Sequence, residues 1–327
     1  MITPASERGA ALLTVLLLVA VMATVSATAL DRLTLATRLE ANVGEAAQSR
    51  QWLGMAEQLA MTRLEDLSNA NRGRTTLAGN WLGVPRTVDL PDGSRVSAKV
   101  ADGGNCFNLN SLAARQPDGS SLAQPRMTAQ FAALMRTLGV AGGTAANVAT
   151  SASDWIDSDN LQQPGGAEDS SYSGRGLLPA NRPMADSSEL KPVVGMTPDL
   201  FARLRPWLCA LPVSEPSPLN VNTLLPEQAP LLVMLAPEQL RPDLVRAQLA
   251  ARPTDGFGSV LSFWKSGLLA AISVPPEAAA QVKVRTTYFR LQTVIAGDGR
   301  QLHAASLFEE RDGRVRLVRR ALGQADQ

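Results

Sequence analysis

The chain has 327 residues, of which 45% are hydrophobic and 19% are charged, and these proportions are typical of a folded globular protein. Its 31 lysines and arginines nearly balance its 30 aspartates and glutamates, so no overall field attracts nucleic acid or an anionic lipid surface. Its two cysteines are too few for a disulfide-dense domain and too far apart for a Cys-x-x-Cys metal or redox site. The length predicts about two domains.

An apolar segment stands near the N-terminus. Residues 10–30 carry no charge, and only threonines and one serine interrupt their apolar character. A helix needs roughly 20 such residues to span a bilayer, whereas the apolar region of a cleaved secretory signal usually has about 7 to 15. No proline follows until well beyond residue 67, and apolar residues recur at steps of three and four along 31–67. We therefore predict one long helix, a transmembrane segment first and an amphipathic segment afterwards.

Short alternating runs replace the helical pattern further along the chain. Residues 76–100, with Pro91-Asp92-Gly93 between two runs, predict a β-hairpin. Three more strands are predicted at residues 282–294, 301–309 and 315–319. Because sheet segments lie towards both ends of the chain, the alanine-, leucine- and proline-rich middle is predicted to be a helical insertion. The expected fold class is α+β: a long N-terminal helix packed on a small antiparallel sheet, with a large, mostly helical domain inserted into the sheet region.

The first few residues resemble a known processing site. A short polar leader ends in Gly9, and the apolar helix begins at once with Ala10, as in type IV pilins and type II secretion pseudopilins. The resemblance implies cleavage after Gly9 by a prepilin peptidase and N-methylation of Ala10. Most such subunits have phenylalanine at the first mature position and glutamate at the fifth, but this chain has Ala10 and Thr14. Loss of that glutamate resembles the K-type minor pseudopilin.

A physical reason connects Thr14 to a position at the tip of a filament. A carboxylate within the bilayer costs at least ~2.5 kcal/mol at the helix centre unless it is paired. In ordinary pilins the glutamate is thought to meet the terminal amine of a neighbouring subunit. A tip subunit has no neighbour above it, so Thr14 suffices. The alternative is a plain membrane anchor in which this polar residue has no such role.

The body of the chain carries a second resemblance. Several short motifs occur in the order seen in K-type minor pseudopilins. They are Cys106-Phe-Asn-Leu-Asn110, Asp154-Trp-Ile-Asp-Ser-Asp159, Gly166-Ala-Glu-Asp169 with Tyr172, Ser188-Glu-Leu190 and Leu219-Asn-Val-Asn-Thr223. With the N-terminus, the likeness covers nearly the whole chain. It implies a leader (1–9), a transmembrane helix (10–30), its periplasmic continuation (31–67), the first part of a pilin-like sheet (68–110), an inserted domain with SAM-like and helix-hairpin-helix-like pieces (111–275) and the remaining strands (276–327).

Acidic residues are concentrated in one loop that follows Asp154. Clustered hard oxygen ligands on a flexible loop suit calcium, which accepts six to eight oxygens. The loop is not an EF-hand. Counted from Asp157, the fifth position, which holds a ligand in an EF-hand, is Leu161, and the residue directly after it is not glycine. The K-type resemblance implies a calcium site, which we assign to Asp157, Asp159, Glu168 and Asp169. The alternative is a set of helix caps in a solvated acidic loop.

Whether the two cysteines form a disulfide depends on the compartment in which they lie. If the body of the chain is periplasmic, Cys106 and Cys209 lie in an oxidising environment in which a pair can form a disulfide. Such a bond would hold the insertion at the edge of the sheet. Two buried, unpaired thiols are the alternative.

Catalysis and nucleic-acid binding find little support. His303, the single histidine, is predicted to lie in a strand, and no nucleophile motif, phosphate-binding loop or zinc-ligand spacing is present. The Asn220-to-Thr223 motif resembles the opening of helix-hairpin-helix modules, some of which bind DNA, and predicts a helix start. However, residues 216–237 contain no lysine or arginine with which to contact phosphates.

The expected protein is therefore a structural minor pseudopilin and not an enzyme. It would cap the tip of the type II secretion pseudopilus and help to initiate its assembly for export of folded proteins. The resemblance implies a single-pass inner-membrane protein with a periplasmic body. Implied partners are the I- and J-type minor pseudopilins, the major pseudopilin, the prepilin peptidase and the inner-membrane secretion platform. Two alternatives remain open: a membrane-tethered periplasmic protein that binds a secreted substrate or glycan, and a hydrolase using Asp157 and Glu168.

Overall fold

The structure, a computed structural model, describes residues 6–70, 73–297 and 300–323. The chain separates into two compact units, Met1–Met55 and Ala56–Gln327. The α-helices in chain order are α1 (Ser6–Ala70), α2 (Pro125–Thr137), α3 (Gly142–Ile156), α4 (Asp169–Tyr172), α5 (Pro198–Leu204), α6 (Pro230–Val233), α7 (Pro242–Ala250), α8 (Val260–Trp264) and α9 (Pro276–Ala279). The strands are β1 (Arg86–Asp89), β2 (Arg95–Asp102), β3 (Phe107–Asn108), β4 (Ala113–Arg115), β5 (Ser121–Ala123), β6 (Leu208–Cys209), β7 (Leu219–Asn220), β8 (Val282–Lys283), β9 (Tyr288–Gly297), β10 (Arg300–Arg311) and β11 (Arg314–Leu322).

The first unit consists of the greater part of α1, the single long helix predicted from the sequence. An apolar window of this helix has a mean hydropathy of 2.5, and none of it is buried by the rest of the protein. Three threonines of its apolar segment are satisfied within the helix, since Thr14, Thr24 and Thr28 each donate their hydroxyl to the carbonyl three residues earlier. By length and composition this helix is a candidate membrane anchor.

The second unit contains a five-stranded antiparallel sheet with strand order β1-β2-β9-β10-β11. The last turns of α1 pack on this sheet. Leu64 is buried in a small apolar cluster with Phe289, Phe308 and Val315. Buried Glu57 accepts a hydrogen bond of 2.5 Å from the Ser306 hydroxyl. The predicted packing of helix on sheet is thus confirmed.

A largely helical domain is inserted between β2 and β9. Its apolar core is much larger than that of the sheet, and α2 and α3 form the central pair. Phe107 stacks on Phe131 with ring centroids 4.9 Å apart, which gains attraction beyond the burial of their area. Two short parallel pairings, β3 with β6 and β7 with β8, close the domain near its two connections with the sheet.

The strand pairing sets the limits of the insertion differently from the sequence pattern. Asp102 pairs with Phe289 across β2 and β9, so the insertion leaves the sheet after residue 102 and returns at residue 288. The predicted limits, 111 and 275, therefore fall inside it. Residues 103–110 and 276–287 lie outside the predicted limits, but apolar side chains from both, such as Phe107 and Val282, contribute to the core of the inserted domain.

Two local predictions were also wrong in detail. Residues 282–294 do not form one strand, because β8 pairs with the insertion and β9 with the sheet. Asn220 does not begin a helix: its side chain accepts from the backbone N–H of Asn222 at 2.9 Å in a turn that follows β7. Asn108, by contrast, caps a short 3-10 helix, Leu109–Leu112.

Candidate functional site

The acidic loop begins where α3 ends. Buried Asp154, in the last turn of α3, accepts hydrogen bonds from Gln163 Nε2 at 2.7 Å and from the backbone N–H of Ala167 at 2.8 Å. These bonds turn the loop back onto the helix. Gly166 is required at the point of closest approach, because a Cβ there would lie 2.0 Å from Asp154 Oδ2. Asp154 therefore shapes the loop, a role that no local sequence signal assigned to it.

The folded loop brings three of the predicted ligands together. One oxygen from each of Asp157, Asp159 and Glu168 can be chosen so that all lie within 4.8 Å of one another. Asp157 and Glu168 are buried, and in the described part of the chain Asp157 Oδ1 and both Glu168 carboxylate oxygens have no hydrogen-bond partner. Asp159 Oδ1 accepts from the backbone N–H of Leu161 at 2.8 Å. The fourth predicted ligand, Asp169, is exposed and lies outside this cluster.

Burial and mutual repulsion raise the pKa values of two carboxyl groups in the loop. Burial, followed by the negative charges of Asp159, Asp154 and Glu168, raises the pKa of Asp157 to about 7. Burial also raises the pKa of Glu168 to about 7, with the charges of Asp154 and Asp169 adding to the effect. Across the described ranges of the chain, no ion pair joins either carboxylate to a positive group, so their repulsion is not offset. Their oxygen chemistry and separation fit a calcium ion, whose ligand distances are roughly 2.3 to 2.6 Å.

The cysteines lie at the connection between insertion and sheet. Cys106 and Cys209 form a disulfide, with their Cα atoms 5.8 Å apart. Cys106 precedes β3, and Cys209 ends β6, the strand with which β3 pairs. The bond thus joins the start of the insertion to a segment about midway along it.

The remaining candidate residues occupy simpler positions. Gly9 and Ala10 both lie in α1. His303 is in β10, as predicted, and its Nε2 lies 3.1 Å from Gln301 Oε1. Neither the strand nor this contact supplies the positioned nucleophile and base that catalysis requires.

A long apolar helix that continues onto a small antiparallel sheet defines a pilin-like subunit. Two family models described as "Type II secretion system (T2SS), protein K" match residues 105–213 and 219–285. The chain belongs to the type II secretion system protein K family.

Whole-chain similarities agree with this assignment. The chain is 32% identical to type II secretion system protein K of Pectobacterium carotovorum subsp. carotovorum over 97% of both chains. It is also 32% identical to the Aeromonas hydrophila protein over 98% of both chains. Among solved structures, a chain of the GspK-GspI-GspJ complex from the type 2 secretion system of enterotoxigenic Escherichia coli is 31% identical, with a TM-score of 0.73 over 86% of this chain and 98% of that chain.

Proposed function

We propose that the chain is a minor pseudopilin that caps the tip of a type II secretion pseudopilus and helps to initiate its assembly. The observation that carries this proposal is the likeness, over nearly all of that solved chain, to a complex containing GspK, GspI and GspJ. In this proposal the I- and J-type minor pseudopilins are direct partners. The major pseudopilin and the inner-membrane secretion platform are the further contacts of the assembly.

Two features support the tip position. The inserted domain has a larger core than the sheet that carries it, and in this proposal its bulk would stand in the way of a subunit beyond it. Thr14 donates its hydroxyl to the Ala11 carbonyl at 2.8 Å, so this position needs no amine from a neighbouring subunit. A glutamate there would need such a partner within the bilayer.

The tip position is tested by labelling filaments. Pseudopili assembled with an epitope-tagged chain should carry antibody-linked gold at one end only. A tagged major pseudopilin in a parallel preparation provides the control, with gold along the whole shaft. Gold along the shaft from the chain itself would contradict capping. If the I- and J-type subunits did not co-purify with the chain, the proposed partnership would be contradicted.

The proposal includes processing at the N-terminus. A prepilin peptidase would cut after Gly9, methylation would follow at Ala10, and the body would lie in the periplasm, with residues 10–30 of α1 in the inner membrane. Mass spectrometry of the protein from cells with and without the peptidase tests this directly. A product that starts at Ala10 only when the peptidase is present supports the proposal. An uncleaved start, or a cut near Ala27, contradicts it.

We further propose that Asp157, Asp159 and Glu168 hold a calcium ion. The support is the set of buried carboxylate oxygens that lack partners. A bound cation would supply the positive charge that offsets their repulsion and would fix the acidic loop on α3. Asp169 is a proposed additional ligand that would have to approach from the rim of the site.

Calorimetric titration with calcium tests the assignment. Asp157→Asn and Glu168→Gln should each weaken binding by at least about tenfold, because each removes a buried charge that contacts the ion. Asp169→Asn distinguishes the fourth ligand from a bystander. Asp118→Asn, in a different exposed turn, is the matched control. Equal affinities for the wild type and for Asp157→Asn would contradict the site.

A further inference from the structure

A cleft with a positively charged lining lies between the sheet and the inserted domain. Its volume is about 330 Å³. Three of its arginines come from segments far apart in the sequence: Arg205 follows α5, Arg290 belongs to β9 and Arg319 belongs to β11. All three are half-buried. The fold thus gathers three positive charges at one place that no sequence motif marks.

The arginines are poorly compensated by the protein itself. In the part of the chain that the structure describes, no ion pair joins any of the three to a carboxylate. Arg319 Nη1 donates to the Ala185 carbonyl, and Arg205 Nη2 is buried without a hydrogen-bond partner. A buried guanidinium nitrogen that donates to nothing costs free energy. The arrangement is the one expected of a site that an external acceptor completes.

Their electrostatic surroundings agree with this. Burial lowers the pKa of Arg290, and the nearby positive charge of Arg319 lowers it further, although the charges of Asp186 and Asp102 act in the opposite direction. Asp102 is fully engaged, since it accepts from Thr223, Thr286 and the backbone N–H of Gly104. Asp186 is therefore the one carboxylate lining the cleft among the described residues. An excess of positive charge remains.

Asp186 indicates which anion the cleft accepts. Although burial raises the pKa of Asp186, hydrogen bonds from Ser188 and the positive charges of Arg319 and Arg205 lower it overall. The cleft thus favours the ionised form of a carboxyl group at its rim. Beside the arginines lie apolar side chains, among them Phe201, Leu208 and Leu307. A small inorganic anion would leave that apolar wall uncovered, whereas a polypeptide segment presents a carboxylate and an apolar group together.

We propose that this cleft is a docking site for an acidic polypeptide segment of a partner protein, with a carboxylate of the partner held by Arg205, Arg290 and Arg319. Arginine binds carboxylates in a planar, two-pronged geometry and forms strong charge-assisted hydrogen bonds with them. The cleft has room for a few side chains and not for a folded domain. Its chemistry does not depend on the tip position proposed above.

The test uses the full chain in nanodiscs of phosphatidylcholine, a lipid without net charge. Fluorescein-labelled hexaglutamate is the probe, and labelled hexaglutamine is the neutral comparison. We expect hexaglutamate to bind with a Kd below about 1 mM, measured by fluorescence anisotropy, and hexaglutamine not to bind. The Arg205→Gln/Arg290→Gln double variant should weaken hexaglutamate binding by at least about tenfold. Arg203→Gln is the matched control, because Arg203 is an exposed arginine of α5 outside the cleft.

Thermal unfolding distinguishes a loss of binding from a loss of folding in the variants. The single variant Arg205→Gln removes a guanidinium whose Nη2 has no partner. It should therefore keep the wild-type thermal unfolding temperature while its affinity for hexaglutamate falls several-fold. Equal binding by the wild type and Arg205→Gln would overturn the proposal, and so would a lack of hexaglutamate binding. Calorimetric titration with inorganic phosphate decides the remaining alternative. Tighter, arginine-dependent binding of phosphate than of hexaglutamate would make this a small-anion site.

Discussion

The sheet and the inserted domain are stabilised in different ways. The sheet has a small apolar cluster around Phe289 and Phe308 and is attached to the helix by polar contacts of Glu57. The insertion has a large apolar core of its own. The candidate metal centre belongs to the insertion, in the loop that follows α3. The sheet, with its smaller core, depends more on each contact with α1.

The two regions are nevertheless joined by more than the chain. Buried Asp102 of β2 accepts from Thr223 of the insertion and from Thr286 next to β9. Asn220 donates to the Thr75 carbonyl at 3.1 Å and to the Thr286 hydroxyl at 2.9 Å. Buried polar groups that are satisfied in this way fix one relative arrangement. We therefore expect the sheet and the insertion to unfold together.

The largest expected effect tests this coupling. Phe131→Ala should destabilise the protein by about 3 to 5 kcal/mol, because Phe131 is fully buried against Phe107 and its removal leaves a cavity. Phe308→Ala, in the sheet cluster, is the matched change. Scanning calorimetry of each variant should show a single transition that moves to lower temperature. Two transitions, of which Phe131→Ala moves only one, would contradict the coupling.

The disulfide is expected to have the next largest effect. Replacing both Cys106 and Cys209 by serine should cost about 2 to 4 kcal/mol, because the bond restricts a long loop in the unfolded chain. Chemical denaturation of the wild type, oxidised and reduced, measures the same quantity without mutation. The reduced wild type should match the double variant. An unchanged midpoint on reduction would show that the bond does not stabilise the connection.

A smaller effect is expected where the helix contacts the sheet. Glu57→Gln should cost about 1 to 3 kcal/mol, because the buried carboxylate accepts from Ser306 and forms an ion pair with Arg320. Asp66→Asn is the control, since Asp66 is exposed and its ion pair with Arg63 is weak, with Arg63 Nη1 and Asp66 Oδ2 as far apart as 4.0 Å. Equal urea midpoints for the two variants would show that the Glu57 contacts contribute nothing to the sheet.

The pH dependence of stability tests the acidic loop, and its sign is informative. In the metal-free protein the folded-state pKa values of Asp157 and Glu168 are raised to about 7. Their contribution to stability is then fully present below about pH 4 and is lost as the pH rises through about 7. Excess calcium should reverse this trend, since the ion binds the charged carboxylates.

Thermal unfolding at several pH values, with a chelator or with calcium, measures this trend. Asp157→Asn should flatten the pH dependence seen with the chelator, while Asp118→Asn should leave it unchanged. The same slope with chelator and with calcium would contradict a metal at this site.

Local sequence patterns predict many of the helices and strands. Pairing with segments far away in the sequence decides where some of the strands begin and end. The apolar residues of α1 and the alternating residues of β10 follow from periodicity alone. The division of residues 282–294 into β8 and β9 does not, because both halves have the same alternating character and differ only in the segment that they pair with. Strand identity at such a junction is a property of the tertiary fold.

The candidate site shows the same limit. The calcium assignment for Asp157, Asp159 and Glu168 rests on their place in one acidic loop and on the K-type resemblance, and the folded loop brings these three residues together. Asp169 has the same chemistry, but at the start of α4 it is exposed. Arg205, Arg290 and Arg319 were missed altogether, since their proximity exists only after the sheet and the insertion have assembled.

The pairing of Asp102 with Phe289 brings the two connections of the inserted domain together at one end of a strand pair. These residues face each other on adjacent antiparallel strands, the position at which a tight turn normally joins two strands of a hairpin. The whole helical domain therefore occupies a place where a hairpin would need only a few turn residues. Because the pairing continues up to this point, the domain leaves and re-enters the sheet without any shift in strand register. A change in the size or chemistry of the domain therefore need not alter the sheet.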